Sequence, residues 1–267
     1  MKLIRNFTNN DIYFIEVVSD KIVINDNYDG IFILDNELNI ITSIKLLKDM
    51  VIDTSFIKEK EIVLYCYENQ CLVHLNVETK AYKIISLQID LIDIIFLSLY
   101  EWIDDDLVLL AANGTVFIHV NLLENVIYKM QNDAIDKLHF SIRDDLNKLS
   151  KLVVHKIYPV KKIAVVEANN TFNKINYKND TEFALTIKPI KFYDIEVTEN
   201  CVVQVSEEEI SMSYGGKFIK LYPTPEEYRF LRCKFITIDG INYLLLLLCS
   251  NADSSICKLE RVTLETN

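Results

Sequence analysis

The chain has 267 residues and a formal charge of −11, and it is 50% hydrophobic and 25% charged. That composition is globular, with ample length for a sizeable buried core. The acidic balance argues against nonspecific nucleic-acid binding, which needs phosphate-neutralising Lys and Arg, and suits a basic protein partner.

With only five Gly and four Pro there is little material for flexible linkers, so residues 1–267 read as a single domain. The opening "MKLIRNFTNNDIYF" has no apolar core segment and no small-residue cleavage site, so it does not read as a signal peptide. The longest apolar stretches, "LIDIIFLSLY" and "YLLLLLC", are too short to cross a bilayer. A cytoplasmic location without membrane contact is expected.

In chain order, the first unit is "DIYFIEVV", then "KIVINDNYDGIFILD" from Lys21, then "NIITSIKL". The second is "MVIDTSFI", "EIVLYCYENQCLVHLN" from Glu61 and "AYKIISL". The third is "DIIFLSLYEWI", "DLVLLAANGTVFIHVN" from Asp106 and "NVIYKM". The fourth is "KLVVHKIYPV", "KIAVVEANNTFNKINY" from Lys162 and "EFALTI". The fifth is "IKFYDIEV", "CVVQVSEEEISMSY" from Cys201 and "FIKLY". The sixth is "RFLRCKFITI", "YLLLLLCSNADSSICKLE" from Tyr243 and "RVTLE".

Each middle segment is an apolar run, a polar turn and a second run of alternating character, the mark of a β-hairpin. A helix would not tolerate Asn113-Gly114 or Asp29-Gly30 in its middle. Asn113-Gly114 is the expected turn of the third hairpin, and Asp29-Gly30 is expected to supply positive φ in the first. With one flanking strand on each side, the unit is four strands, A to D, repeating at roughly 40–45 residues. The second strands are almost wholly apolar, as strands covered on both faces are.

This pattern resembles β-propeller repeat proteins over the full chain. The fold class it implies is all-β: a six-bladed propeller of four-stranded antiparallel blades, with a pair of β-sandwiches as the alternative. No motif-defined family is matched. Trp102 is followed by Ile103 rather than Asp, and a double glycine occurs only at Gly215-Gly216.

Residues 131–150 interrupt the repeat between units three and four. Ala134, Ile135, Leu138, Ile142, Leu146 and Leu149 recur at mostly three- and four-residue spacing, which predicts an amphipathic helix over about 133–149. It either caps the sheets or touches a partner.

Residues 25–30, "NDNYDG", carry oxygens at alternate positions before a Gly, like half of a calcium loop. Asn25 replaces the leading Asp and Asn36 stands where a bidentate Glu belongs, so a hairpin turn is the plainer reading and no metal is expected. His74 and His119 hold equivalent repeat positions, which favours a structural bond to a neighbouring strand over catalysis. No catalytic residue and no cofactor is assigned. The six cysteines lack CxxC spacing. Cys66 with Cys71, and Cys249 with Cys257, can face each other across hairpins, but six unpaired, metal-free thiols are expected.

In a propeller the B–C and D–A loops share one face. Here that face receives Asp26, Asp29, Asp90, Asp93, Glu207, Glu208 and Glu209, and with the inserted helix Asp144 and Asp145. These are the candidate partner-binding residues. The other face mixes acids such as Asp104, Asp105 and Asp106 with lysines. First strands of mainly apolar and aromatic character disfavour the rival reading, an enzyme with its site in a central channel. In size, acidity and richness in Ile, Asn, Lys and Asp the chain resembles immunity proteins of contact-dependent growth inhibition and related interbacterial toxin systems. That resemblance implies a monomer that pairs with a basic nuclease toxin and covers its active site. A scaffold subunit of a larger assembly is the alternative.

Overall fold

The computed structural model describes residues 2–87, 97–111, 117–129, 153–158, 163–168, 171–176, 181–185, 192–197, 201–206, 209–214, 217–223 and 225–264. Strand β1 (Leu3–Phe7) precedes four strands that form one sheet in chain order: β2 (Ile15–Val18), β3 (Lys21–Asp26), β4 (Gly30–Leu34) and β5 (Ile40–Lys45). A second sheet comprises β6 (Thr54–Lys58), β7 (Glu61–Cys66), β8 (Cys71–Asn76) and β9 (Tyr82–Ser86). The third holds β10 (Leu97–Ile103), β11 (Asp106–Ala111), β12 (Phe117–Asn121) and β13 (Val126–Lys129). The fourth holds β14 (Val153–Tyr158), β15 (Ile163–Ala168), β16 (Thr171–Asn176) and β17 (Thr181–Leu185). The fifth holds β18 (Phe192–Val197), β19 (Cys201–Ser206), β20 (Glu209–Tyr214) and β21 (Lys217–Pro223).

The last sheet differs. Its order is β1-β24-β23-β22, from β22 (Tyr228–Ile238), β23 (Ile241–Ser250) and β24 (Cys257–Thr263). The expected fourth strand "RVTLE" is instead the continuation of β24, and the place beside it is taken by β1, with Leu3 opposite Arg261 and Phe7 opposite Cys257. Both chain ends are thereby held in one sheet. Consecutive four-stranded antiparallel meanders, the last completed by the first strand, make this an all-β protein with the strand organisation of a β-propeller. Separate four-stranded sheets replace the large paired sheets that a sandwich would need. Residues 131–150, with the expected helix, and the turn at Asn113-Gly114 lie outside the described residues. Strands β11 and β12 do pair as that hairpin requires, with Leu110 opposite Phe117.

Contacts divide the chain into two compact units, one of Met1–Ile62, Leu75–Ala81 and Ile190–Asn267, the other of Val63–His74 and Tyr82–Pro189. In the first unit, Ile12, Ile15, Ile22, Ile24 and Leu34 form a core with Leu245, Leu247 and Leu259. A second cluster joins Val203, Val205 and Ile210 to Leu244, Leu246 and Leu248. Leucines 244–248 therefore feed both clusters, even residues to one and odd to the other, because successive side chains of a strand point to opposite faces. Each buried Leu or Ile contributes roughly 1.5–3 kcal/mol. Strands β5 and β9 alternate exposed and covered positions, as outer strands with one wet face should.

A device not read from the sequence recurs in the pairing of first and second strands. Register shifts fall between Leu99 and Glu101, Val154 and Lys156, Phe192 and Asp194, and Phe230 and Arg232. Each is an extra residue on the first strand, a β-bulge that bends the strand and turns its later residues. The residue after each bulge is charged: Glu101, Lys156, Asp194 and Arg232.

Candidate functional site

The loop end of the first unit is built on Asn25, which is fully buried at the end of β3. Its Oδ1 accepts from the backbone N–H of Tyr13 and of Phe14, both at 2.9 Å. Its Nδ2 donates to the carbonyls of Asp11 at 2.7 Å and Asn27 at 2.8 Å. One side chain thus ties the segment before β2 to the β3–β4 turn. Asn10 adds to this, its Nδ2 donating to Asp26 Oδ1 at 3.0 Å and its Oδ1 accepting from Asn27 N–H at 3.0 Å.

Asp26, one of the candidate partner-binding carboxylates, is 6% exposed. It accepts from Ser43 Oγ and from Lys45 Nζ, both at 3.0 Å, so its charge is neutralised within the sheet and it positions the turn. Lys45 is drawn above its ordinary pKa chiefly by that hydrogen bond. Asp29 is exposed and lies 3.6 Å from the same lysine. The oxygens of Asn25, Asp26 and Asn27 each serve different protein groups, and among the described residues no set of three or more His, Cys, Asp or Glu side chains converges as metal ligands.

The expected positive φ at Asp29-Gly30 is not what the turn uses. Asn27 takes the left-handed conformation, at φ 49°. Gly30 lies in β4, and the backbone of β5 explains it: a Cβ there would stand 2.0 Å from Ile44 O.

Further hydrogen bonds carry this surface across two sheets. Leu46 N–H donates to Asp29 O at 2.9 Å, and Asn10 N–H to Ser255 O at 3.0 Å. Asn251 N–H donates to Glu227 O at 3.0 Å. The B–C and D–A loops of the first and last sheets therefore share one end, as expected. On it Asp29, Asp49, Asp53, Glu226, Glu227 and Asp253 are exposed. Asp253 is held below the usual carboxylate range by hydrogen bonds from the Ser255 hydroxyl and N–H.

Two tyrosines on this surface were missed because nothing in their spacing marks them. Tyr28 is 40% exposed and stacks on Tyr13 with ring centroids 5.7 Å apart. Its hydroxyl donates to Asp11 Oδ2 at 2.6 Å, which pushes the phenol up to about 12. Tyr13 OH in turn accepts from Ile52 N–H at 3.0 Å.

Of the remaining candidates, Glu209 is half-buried at the start of β20, where Glu209 N–H donates to Ser206 Oγ at 3.1 Å. Asp90, Asp93, Asp144, Asp145, Glu207 and Glu208 lie outside the described residues. The opposite loop end is mixed, as expected: Lys60 pairs with Glu78 at 2.7 Å and Lys21 with Asp20 at 2.5 Å.

The first strands are less apolar than expected. In the first unit β18, β22, β2 and β6 stand side by side. Lys234 on β22 lies 3.0 Å from Glu16 on β2 and 3.4 Å from Glu196 on β18. Ser55 on β6 donates to Glu16 at 2.9 Å. The polar alternation in "FYDIEV" and "RFLRCKFITI" was the available signal. His119 meets Asp106 on the neighbouring strand at 2.9 Å, the structural bond expected of it, and His74 sits edge-on to Trp102 at 6.2 Å.

No family model matches the sequence, and no curated protein matches it. Among solved structures, the chain is similar to virginiamycin B lyase from Staphylococcus aureus, at 12% identity over 99% of this chain and 100% of that one, with a TM-score of 0.48. It is also similar to the β-propeller domain of Cps50 (Swd1) from Myceliophteria thermophila, at 9% identity over 98% and 100%, TM-score 0.48. A third is U3-55K, at 10% identity over 92% and 80%, TM-score 0.48. The fold assignment rests on this chain's own strand order.

Among the described residues, no helix is long and apolar enough to cross a membrane.

Proposed function

We propose that this chain is a non-catalytic protein-binding module whose B–C and D–A loop end docks a basic protein, acting as an acidic immunity protein that covers the active site of a nuclease toxin. The observation that carries this reading is the continuous loop surface from Glu226 through Asn251, Ser255 and Asn10 to Asp29, with its exposed carboxylates. The hydrogen bonds beneath it hold those charges in place before binding, which lowers the ordering cost of association. Its acids outnumber the exposed Lys45 and Lys48, and a predominantly negative field speeds encounter with a basic surface and orients it. Tyr28 adds a half-exposed aromatic of the kind that anchors interfaces. Asp90, Asp93, Asp144, Asp145, Glu207, Glu208 and Glu209 remain candidates for the same partner from the sequence pattern alone. Lys234 pairs with Glu16 and Glu196 across three first strands, and we read this cluster as a structural tie between sheets rather than a catalytic site.

The test is first to read the neighbouring reading frame, where a product that is not a basic nuclease would sink the toxin reading, and then to measure the kinetics of that product's association with this chain at rising salt. Asp49, Glu226 and Glu227 are together reversed to Lys, and in a matched control so are Asp20, Glu59 and Asp239, exposed acids of the opposite loop end of the same unit. The first triple variant should slow association and weaken binding, by about 1 kcal/mol for charges on the rim and several for desolvated ones. Equal losses from both would reduce the effect to net charge and sink the choice of face.

A further inference from the structure

Four of the six cysteines fall into two pairs, each flanking the second hairpin loop of its sheet. Cys249 and Cys257 are directly opposite in the β23–β24 register. The next pair toward the loop is hydrogen-bonded, Ser250 N–H donating to Ile256 O at 2.9 Å. Cys249 and Cys257 therefore occupy the non-hydrogen-bonded position, where paired Cα atoms stand about 4.5 Å apart. That falls within the roughly 4.4–6.8 Å a disulfide spans. Both sulfurs also reach Ser254 O, at 3.7 and 3.4 Å. Cys66 ends β7 and Cys71 begins β8, on either side of a turn closed by Gln70 N–H to Tyr67 O at 2.9 Å. All four are thiols and buried.

We propose that Cys66–Cys71 and Cys249–Cys257 are two dithiol sites that a low-molecular-weight disulfide oxidises to intrachain disulfides. The sulfurs are already neighbours, so closure needs rotation of side chains and a brief opening of a hairpin end rather than movement of strands. The step balances by exchange. A Cys71 thiolate attacks one sulfur of the external disulfide, forms a mixed disulfide and releases one thiolate. Cys66 then loses its proton and attacks the Cys71 sulfur, forming the protein disulfide and releasing the second thiolate. Two protein thiols are oxidised and one external disulfide is reduced.

The two sites differ in readiness. The Cys66 thiol hydrogen-bonds Cys71 and lowers its pKa, which favours the attacking thiolate. Burial pushes Cys257 up to about 12, which holds it protonated. Cys66–Cys71 should close first. Closing Cys249–Cys257 would pin the loop that carries Asp253.

The experiment treats the reduced, folded full chain with oxidised glutathione, then denatures and alkylates it at intervals. It is then digested at acidic residues, because Glu68 lies between one pair and Asp253 between the other. The expected result is peptides that stay linked across both cuts, with Cys201 and Cys233 alkylated and Cys66–Cys71 closing before Cys249–Cys257. Retention of six alkylated cysteines, glutathione adducts without internal linkage, or linkage in any other combination would overturn the proposal. In C66S, Cys71 should accumulate as the glutathione adduct; an unmodified Cys71 there would refute its role as the attacking thiol.

Discussion

Replacing Asn25 by Asp tests the argument for the loop end most sharply, since the two side chains have nearly the same shape. The oxygen that accepts from Tyr13 and Phe14 is retained. The nitrogen that donates to Asp11 O at 2.7 Å and Asn27 O at 2.8 Å becomes an oxygen facing two carbonyls. Two hydrogen bonds worth about 1 kcal/mol each are lost, and an unsatisfied buried acceptor costs about 1–3 kcal/mol more. The expected loss is on the order of 4 kcal/mol, a large share of the roughly 5–15 kcal/mol that a folded protein has in total. Burial and the facing carbonyls raise the new carboxyl's pKa above its unfolded value. The deficit is therefore complete above the folded-state pKa and is relieved as pH falls through it, when the protonated acid again donates. Urea unfolding of N25D and of the native chain, monitored by far-UV circular dichroism at neutral and mildly acidic pH, measures both effects. A deficit below about 1 kcal/mol at neutral pH, or one that grows relative to the native chain on acidification, would refute the account.

Gly30→Ala should cost roughly 3 kcal/mol or more, because its Cβ would meet the backbone of Ile44, whereas Gly240→Ala, at φ 77° in open space, should cost only about 1 kcal/mol. Urea midpoints of the two variants compare them, and similar shifts would remove the packing explanation. Tyr28 should titrate near about 12 in the folded chain, and Asp11→Asn should bring it down; ultraviolet absorbance of the phenolate reads this. The folded-state value lies above the ordinary 10.0, so this contribution to stability is present below that pH and is lost as pH rises through about 12.

Strand positions were legible in the sequence because a strand records its environment every second residue. "KIVIND" and "EIVLYC" carry unbroken apolar runs, Ile22–Ile24 and Ile62–Cys66, that are buried on both faces, while "IITSIK" and "YKIIS" alternate and have one wet face. The sharing of one end by the B–C and D–A loops came from the meander alone. What the sequence left open depended on residues far apart in the chain. "LIRNF" has no local mark of belonging beside β24, since that pairing joins the two ends of the chain. Asp26 and Asp29 look alike as exposed turn acids, yet Lys45, placed by the β4–β5 register, neutralises one at 3.0 Å while the other stays exposed. Gly30 reads as a turn glycine but answers to the backbone of β5. Lys234 acquired its two carboxylates from strands in other sheets. Periodicity reports how deeply a residue is buried; which group covers it is decided only when separate strands are brought to within hydrogen-bonding distance.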